Sequence, residues 1–173
     1  MANTYTLISS NVLASSAASV TFSAIPSTYT DLVIRYSGRT DRTGIPGYLK
    51  MTFNGTSSVY SDTGLNGNGA TASSNRNTAQ ADFQIYYMHD SDGATANTFG
   101  SAEIYIPNYA GSSYKPVSAF GVGENNATTA YIGADASLFS STAAITSIAL
   151  AEVQASRNWL AGSSFYLYGI KNS

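Results

Sequence analysis

Apolar and polar residues alternate along most of this chain with a period of two, and no stretch keeps the i, i+3, i+4, i+7 apolar spacing of a helix. In DLVIRYSGRT, Leu32, Ile34 and Tyr36 fall on one face and Val33, Arg35 and Ser37 on the other. In YLKMTFNG, Leu49, Met51 and Phe53 point one way, and in the closing WLAGSSFYLYGIKNS, Phe165 and Leu167 alternate with Ser164, Tyr166 and Tyr168. A closing strand this apolar has to be paired along its length, so it is expected to be tied into the sheet with the rest of the fold around it.

Weaker alternation predicts further strands. They fall around Tyr5 and Leu7, around Val20, Phe22 and Ala24 before Pro26, and at Phe83, Ile85 and Tyr87. Others are expected at Ile104 and Ile106, at Phe120 and Val122 after Pro116, in NNATTAYIGA, and at Ile148 and Leu150. Gly44, Pro46 and Gly47 break the ladder, and Asn54-Gly55 predicts a hairpin whose returning strand is SSVYS. From about residue 62 to 80 the chain has almost nothing to bury and reads as a long polar surface loop. About eight to ten short strands punctuated by turns predict one all-β domain over residues 1–173, an antiparallel β-sandwich of the jelly-roll kind.

Composition narrows the picture. Charged residues are 10% of the 173, against about 25% in an ordinary soluble domain, so the surface must be rich in hydroxyls and amides. Net charge is −2 and no run of Lys or Arg occurs, so the electrostatic footprint of a nucleic-acid or anionic-membrane binder is missing. There is no cysteine, which removes disulfide and thiolate chemistry. The first residues lack the positive region of a signal peptide, and no apolar run approaches the roughly 20 residues of a membrane-spanning helix.

Candidate chemistry is thin. The single histidine, His89, lies in the turn-like MHDSDG without a nucleophile signature and reads as a solvated loop residue. A glycosidase-like carboxylate pair would have to come from Glu103 and Glu124, or from Asp31, Asp82 and Glu152, and no spacing brings any two together. Asp90, Asp92 and Gly93 resemble the start of a calcium loop but lack the closing bidentate glutamate. Sequons at Asn54 and Asn126 are expected by chance in a chain this rich in Asn, Ser and Thr. Arg35, Arg39, Asp41 and Arg42 form the densest charge group, suited either to a carboxylate of a neighbouring subunit or to a local pair such as Arg39 with Asp41. Thirteen tyrosines, among them Tyr86, Tyr87, Tyr105, Tyr109, Tyr114, Tyr131, Tyr166 and Tyr168, favour a binding or assembly protein. No catalytic, cofactor-binding or metal-binding residue is assigned.

Three segments carry a resemblance: SSAASVTFSAIPSTYTDLVIRYSGRTDR, EIYIPNYAGSSYKPVSAFGVGENNATTAYI, and AAITSIALAEV with NWLAGSSFYLYGIKNS. In these, and most specifically in YTDLV and GSSFYLYGIK, the chain resembles a family of small virion proteins of tailed bacteriophages. The resemblance implies a structural role in the virion and no enzymatic activity. The leading expectation is a capsid decoration, or cement, protein that binds the major capsid protein at subunit junctions, as a homotrimer, and stabilises the shell. The alternative is a head- or tail-fibre module that binds a host receptor or glycan, with Trp159 or exposed tyrosines stacking on sugars.

Overall fold

The computed structural model describes residues 4–127 and 129–171. They hold twelve strands and no helix: β1 (Tyr5–Val12), β2 (Ser19–Phe22), β3 (Asp31–Gly38), β4 (Gly47–Phe53), β5 (Tyr60–Gly67), β6 (Ala72–Gln80), β7 (Phe83–His89), β8 (Gly100–Ile106), β9 (Lys115–Gly123), β10 (Tyr131–Phe139), β11 (Ile148–Glu152) and β12 (Ser164–Ile170). Two antiparallel sheets result, one of eight strands in the order β1-β12-β3-β8-β9-β10-β5-β6 and one of four in the order β2-β11-β4-β7. The domain is an all-β sandwich.

The core lies where the alternation placed it. Leu32, Ile34 and Tyr36 of β3, Ile104 and Ile106 of β8, and Phe165 and Leu167 of β12 point from the large sheet into the sandwich. They meet Val20, Phe22, Leu49, Met51, Phe53, Phe83, Ile85, Ile148 and Leu150 from the small one. The closing strand is paired on both sides, Phe165 opposite Asn11 of β1 and Tyr36 of β3. Trp159 lies just ahead of it, fully buried, with its ring against Tyr36, His89 and Phe165 and its Nε1 donating to the Leu150 carbonyl.

Two expectations are corrected. The segment at about 62–80 is not a loop: it is the hairpin of β5 and β6, closed by Asn68, whose side-chain oxygen accepts from the Ala70 and Thr71 amides. Its second strand is an edge with one neighbour and no buried residue, so hydrogen bonding rather than apolar burial holds it. The Asn54-Gly55 turn forms, with both residues at positive φ and the Thr56 amide on the Phe53 carbonyl. It does not make a hairpin, because β4 belongs to the small sheet and β5 to the large one. Asn54 Oδ1 accepts from the Thr146 and Ser147 amides and its Nδ2 donates to the Ala144 carbonyl, so its side chain is spent on the neighbouring loop.

Strand β7 beds closely onto the large sheet, and glycines permit it. A Cβ at Gly121 would lie 2.6 Å from Met88 Sδ, and one at Gly133 would lie 2.7 Å from the Tyr86 carbonyl oxygen.

Candidate functional site

Among the described residues, the seven large apolar side chains that remain exposed belong to the outer side of the eight-stranded sheet. Their exposures run from 48% for Tyr5 to 62% for Val12, with Leu7, Leu65, Tyr114, Phe120 and Ile132 between. Register explains how they gather. Leu65 pairs with Ala134, Ala134 with Phe120, Phe120 with Glu103, Glu103 with Arg35, and Arg35 with Tyr166, a single row across six adjacent strands. The next row runs from Ala136 through Ser118, Tyr105, Val33 and Tyr168 to Leu7. Tyr114 continues the same alternation immediately ahead of β9. Shallow hollows flank Phe120, one bordered by Arg35, Glu103 and Tyr166 and one by Leu65, Ile132 and Ala134.

The opposite face of the molecule is different. The outward positions of the small sheet are Ser19, Thr21, Lys50, Thr52, Gln84, Ala149 and Ala151, polar or small, with the half-exposed pair Tyr48 and Tyr86 at one end. An exposed apolar face of this extent is a candidate contact surface. Its one ion pair, Arg35 Nε to Glu103 Oε2 at 2.7 Å, has side chains 54% and 49% exposed, so it adds little stability and stays open to exchange with a partner's charges.

His89 is where the sequence reading fails most clearly. It is fully buried, and its Nε2 lies 2.9 Å from Glu152 Oε2. Glu152 is a buried centre that also accepts from Thr40 Oγ1 at 3.1 Å, the Gln154 amide at 3.3 Å, the Tyr48 amide at 3.4 Å and Arg42 Nη1 at 3.5 Å. Burial alone would raise the Glu152 pKa. The hydrogen bond and charge of His89, the Gln154 amide and Arg42 outweigh burial and hold it below the usual carboxylate value. The ring contacts of His89 are Tyr36 and Trp159, so this pair ties the smaller sheet to the core and is closed to a substrate.

The other candidates disperse. Glu103 pairs with Arg35 on the open face, and Glu124 caps its own turn through the Asn126 amide. Asp31 accepts from the Tyr105 hydroxyl and the Asn108 amide, and Asp82 pairs with Lys50. Asp90 is buried and Asp92 exposed, and among the described residues no cluster of three His, Cys, Asp or Glu side chains forms a metal site. The second sequon ends on residue 128, outside the described residues. The arginine group splits as well. Arg39 is buried and donates to the carbonyls of Ala94, Thr95 and Thr98, Arg42 lies over the Tyr48 ring, and Asp41 binds the Asn158 amide and side chain.

The tyrosines divide three ways. Tyr36, Tyr60 and Tyr109 are core residues with Tyr29 packed against that core, Tyr5, Tyr105, Tyr114, Tyr166 and Tyr168 belong to the outer face, and Tyr48, Tyr86, Tyr87 and Tyr131 form a half-exposed cluster. That cluster exists because β7 bulges. Gly47 pairs with His89 but Tyr48 with Tyr86, leaving Tyr87 and Met88 between them; Met88 turns into the core, and Tyr87, at a φ of 65°, swings out and stacks on Tyr131 at 4.7 Å.

No family model, curated protein or solved structure matches this chain. The site's residues form an open, partly apolar sheet face with shallow hollows beside Phe120.

Proposed function

We propose that this chain is a structural protein of a tailed-phage virion, a capsid decoration protein that lays the outer face of its eight-stranded sheet against the major capsid protein. The observation that carries the reading is the concentration of Tyr5, Leu7, Val12, Leu65, Tyr114, Phe120 and Ile132 on that face. Eight strands spaced about 4.8 Å apart, each about seven residues long at about 3.4 Å per residue, make a platform of roughly 34 by 24 Å. That is about 800 Å², the area one partner contributes to a stable protein interface. The resemblance to small virion proteins supplies the setting. We further read the strand order, β2-β11-β4-β7 against β3-β8 and β5-β6, as a jelly roll widened by the β9–β10 hairpin and by the β1–β12 pair. Three copies around a local three-fold axis would each use the same surface, closing a ring at a capsomer junction and stabilising the shell by mass action.

The test is the copy number in purified virions, by quantitative mass spectrometry against the major capsid protein, combined with binding of Phe120→Asp protein to capsids stripped of decoration. Near-stoichiometric copies and loss of binding in the variant are expected. Absence from virions, or full binding by the variant, would remove the proposal.

The half-exposed cluster of Tyr48, Tyr86, Tyr87 and Tyr131 favours a second reading, a fibre module that binds glycans by ring stacking. Trp159 takes no part in it, being fully buried. A few copies per particle, with glycan binding lost in Tyr86→Ala, would move the function there.

A further inference from the structure

On the inner face of β5, β6 and β10 the alternation that elsewhere buries Phe, Ile and Leu buries polar groups instead. Register sets Asn75 opposite Gly64 and Gly64 opposite Asp135; in the adjacent row it sets Asn77 opposite Asp62 and Asp62 opposite Ser137. Asp62, Asp135 and Ser137 are 1%, 5% and 6% exposed. Asn77 Nδ2 satisfies Asp62 Oδ1 at 2.8 Å. Four buried oxygens are left with no hydrogen-bond partner: Asp62 Oδ2, Asn75 Oδ1, Asp135 Oδ1 and Ser137 Oγ, as is Asn75 Nδ2 beside them.

Two of these oxygens converge over Gly64, where a Cβ would lie 2.6 Å from Asn75 Oδ1 and 2.9 Å from Asp135 Oδ1. The missing side chain is what lets these two oxygens lie so close to the β5 backbone. Asp62 follows on the same face of the same strand, with the Ser137 hydroxyl across from it. Among the described residues no Lys, Arg or His forms an ion pair with Asp62 or Asp135. Asp82 and Arg76 are the other charged groups whose fields reach Asp62. Burial and the Asp62 charge push Asp135 up to about 7.

We propose that Asp62, Asn75, Asp135 and Ser137 form a binding site for a hard divalent cation, calcium in preference to magnesium. Buried polar groups need partners, and here oxygens from two carboxylates, one amide and one hydroxyl lack them, with the Asn75 Nδ2 donor beside them. Four oxygen donors with no sulfur or imidazole among them suit a hard cation, and two carboxylates balance its charge. The set is irregular and lies on three strands, which calcium tolerates and the strict octahedron of magnesium does not. The place fits the fold: β7 is the last strand of the small sheet, and β5 and β6 run on beyond it with little apolar cover. The ion would fasten β6 to β5 and β10 where hydrophobic burial gives out.

The experiment is thermal unfolding and isothermal titration calorimetry of the whole chain at pH 7.5, with EDTA, with calcium chloride and with magnesium chloride. One calcium per chain is expected, with a rise in Tm of about 5–11 °C at a hundredfold excess over Kd. Asp135→Asn and Asp62→Asn should each fold, shown by circular dichroism in EDTA, and lose that rise, while Asp90→Asn, which alters another buried carboxylate, should keep it. No calcium response in the wild type would overturn the proposal and leave a shared proton as the occupant. A calcium response that survives both Asp62→Asn and Asp135→Asn would place the ion elsewhere and overturn it equally.

Discussion

Replacing Glu152 by alanine removes the partner of several donors at once. The His89 imidazole, the Thr40 hydroxyl and the Arg42 guanidinium all lose an acceptor in a place where the Glu152 side chain has no exposure, so water replaces it poorly. Breaking a buried charged pair from one side costs about 3–5 kcal/mol. For a domain of this size that is a fall in Tm of about 6–20 °C. Glu152→Gln keeps the shape and an acceptor for Thr40 but loses the charge facing Arg42 and His89, and should fall between wild type and alanine. The pH dependence follows from the direction of the Glu152 shift. A carboxylate held below its ordinary value contributes stability that is complete above its unfolded pKa, about 4.3, and is lost as pH falls through the lower folded value. The gap between wild type and Glu152→Gln should therefore be full at pH 7 and shrink in acid, below about pH 4. Urea denaturation at pH 7 and pH 3, followed by the fluorescence of the single tryptophan, Trp159, measures both. A loss under about 1 kcal/mol in Glu152→Ala, or a gap that persists unchanged at pH 3, would refute Glu152 as a charged centre of the core.

Three further outcomes can be checked with little more material. Phe120→Asp, on the open sheet face, should leave the urea midpoint within about 0.5 kcal/mol of wild type while abolishing capsid binding; a strongly destabilised variant would mean that Phe120 supports the fold instead. Lys115 is fully buried with its ammonium on the Ser141 and Ala143 carbonyls, at 3.1 and 2.6 Å, so Lys115→Ala should lower stability by about 2–4 kcal/mol in thermal denaturation, through lost packing and two unsatisfied carbonyls. Asn54→Ala forfeits hydrogen bonds to residues 144, 146 and 147 and places alanine at a φ of 53°, and should cost about 2 kcal/mol by the same measurement.

The fold was legible wherever large side chains alternate, as in β3, β4, β8 and β12. It was not legible where strands lack them. In β6, ASSNRNTAQ carries no large apolar residue, and its strand character comes from hydrogen bonds to β5 and a polar inner row that no hydrophobicity pattern records. In β10, the inner positions before Phe139 are Gly133, Asp135 and Ser137, with β7 pressing close on Gly133, so the strand runs on without large apolar residues past the short stretch that NNATTAYIGA announces. His89 looked solvated because its neighbours Asp90, Ser91 and Asp92 form a turn-like string, and only the return of β11 brings Glu152 against it. The candidate face was half visible. The tyrosine excess pointed to binding, but that Leu65, Phe120 and Tyr166 share one row depends on a strand order in which distant segments become neighbours.

The pairing of β1 with β12 has a mechanical consequence. Tyr5 sits opposite Ile170, so the chain enters and leaves the folded unit at adjacent points on one edge. A load applied between those two points meets the ladder in the unzipping direction, one hydrogen bond at a time, rather than in shear across all of them together. Strand β1 has no buried residue, while β12 is gripped by β3 on its far side, so β1 should peel first and at low force. The rest of the sandwich would remain folded behind it, a tether that lengthens before the anchor yields.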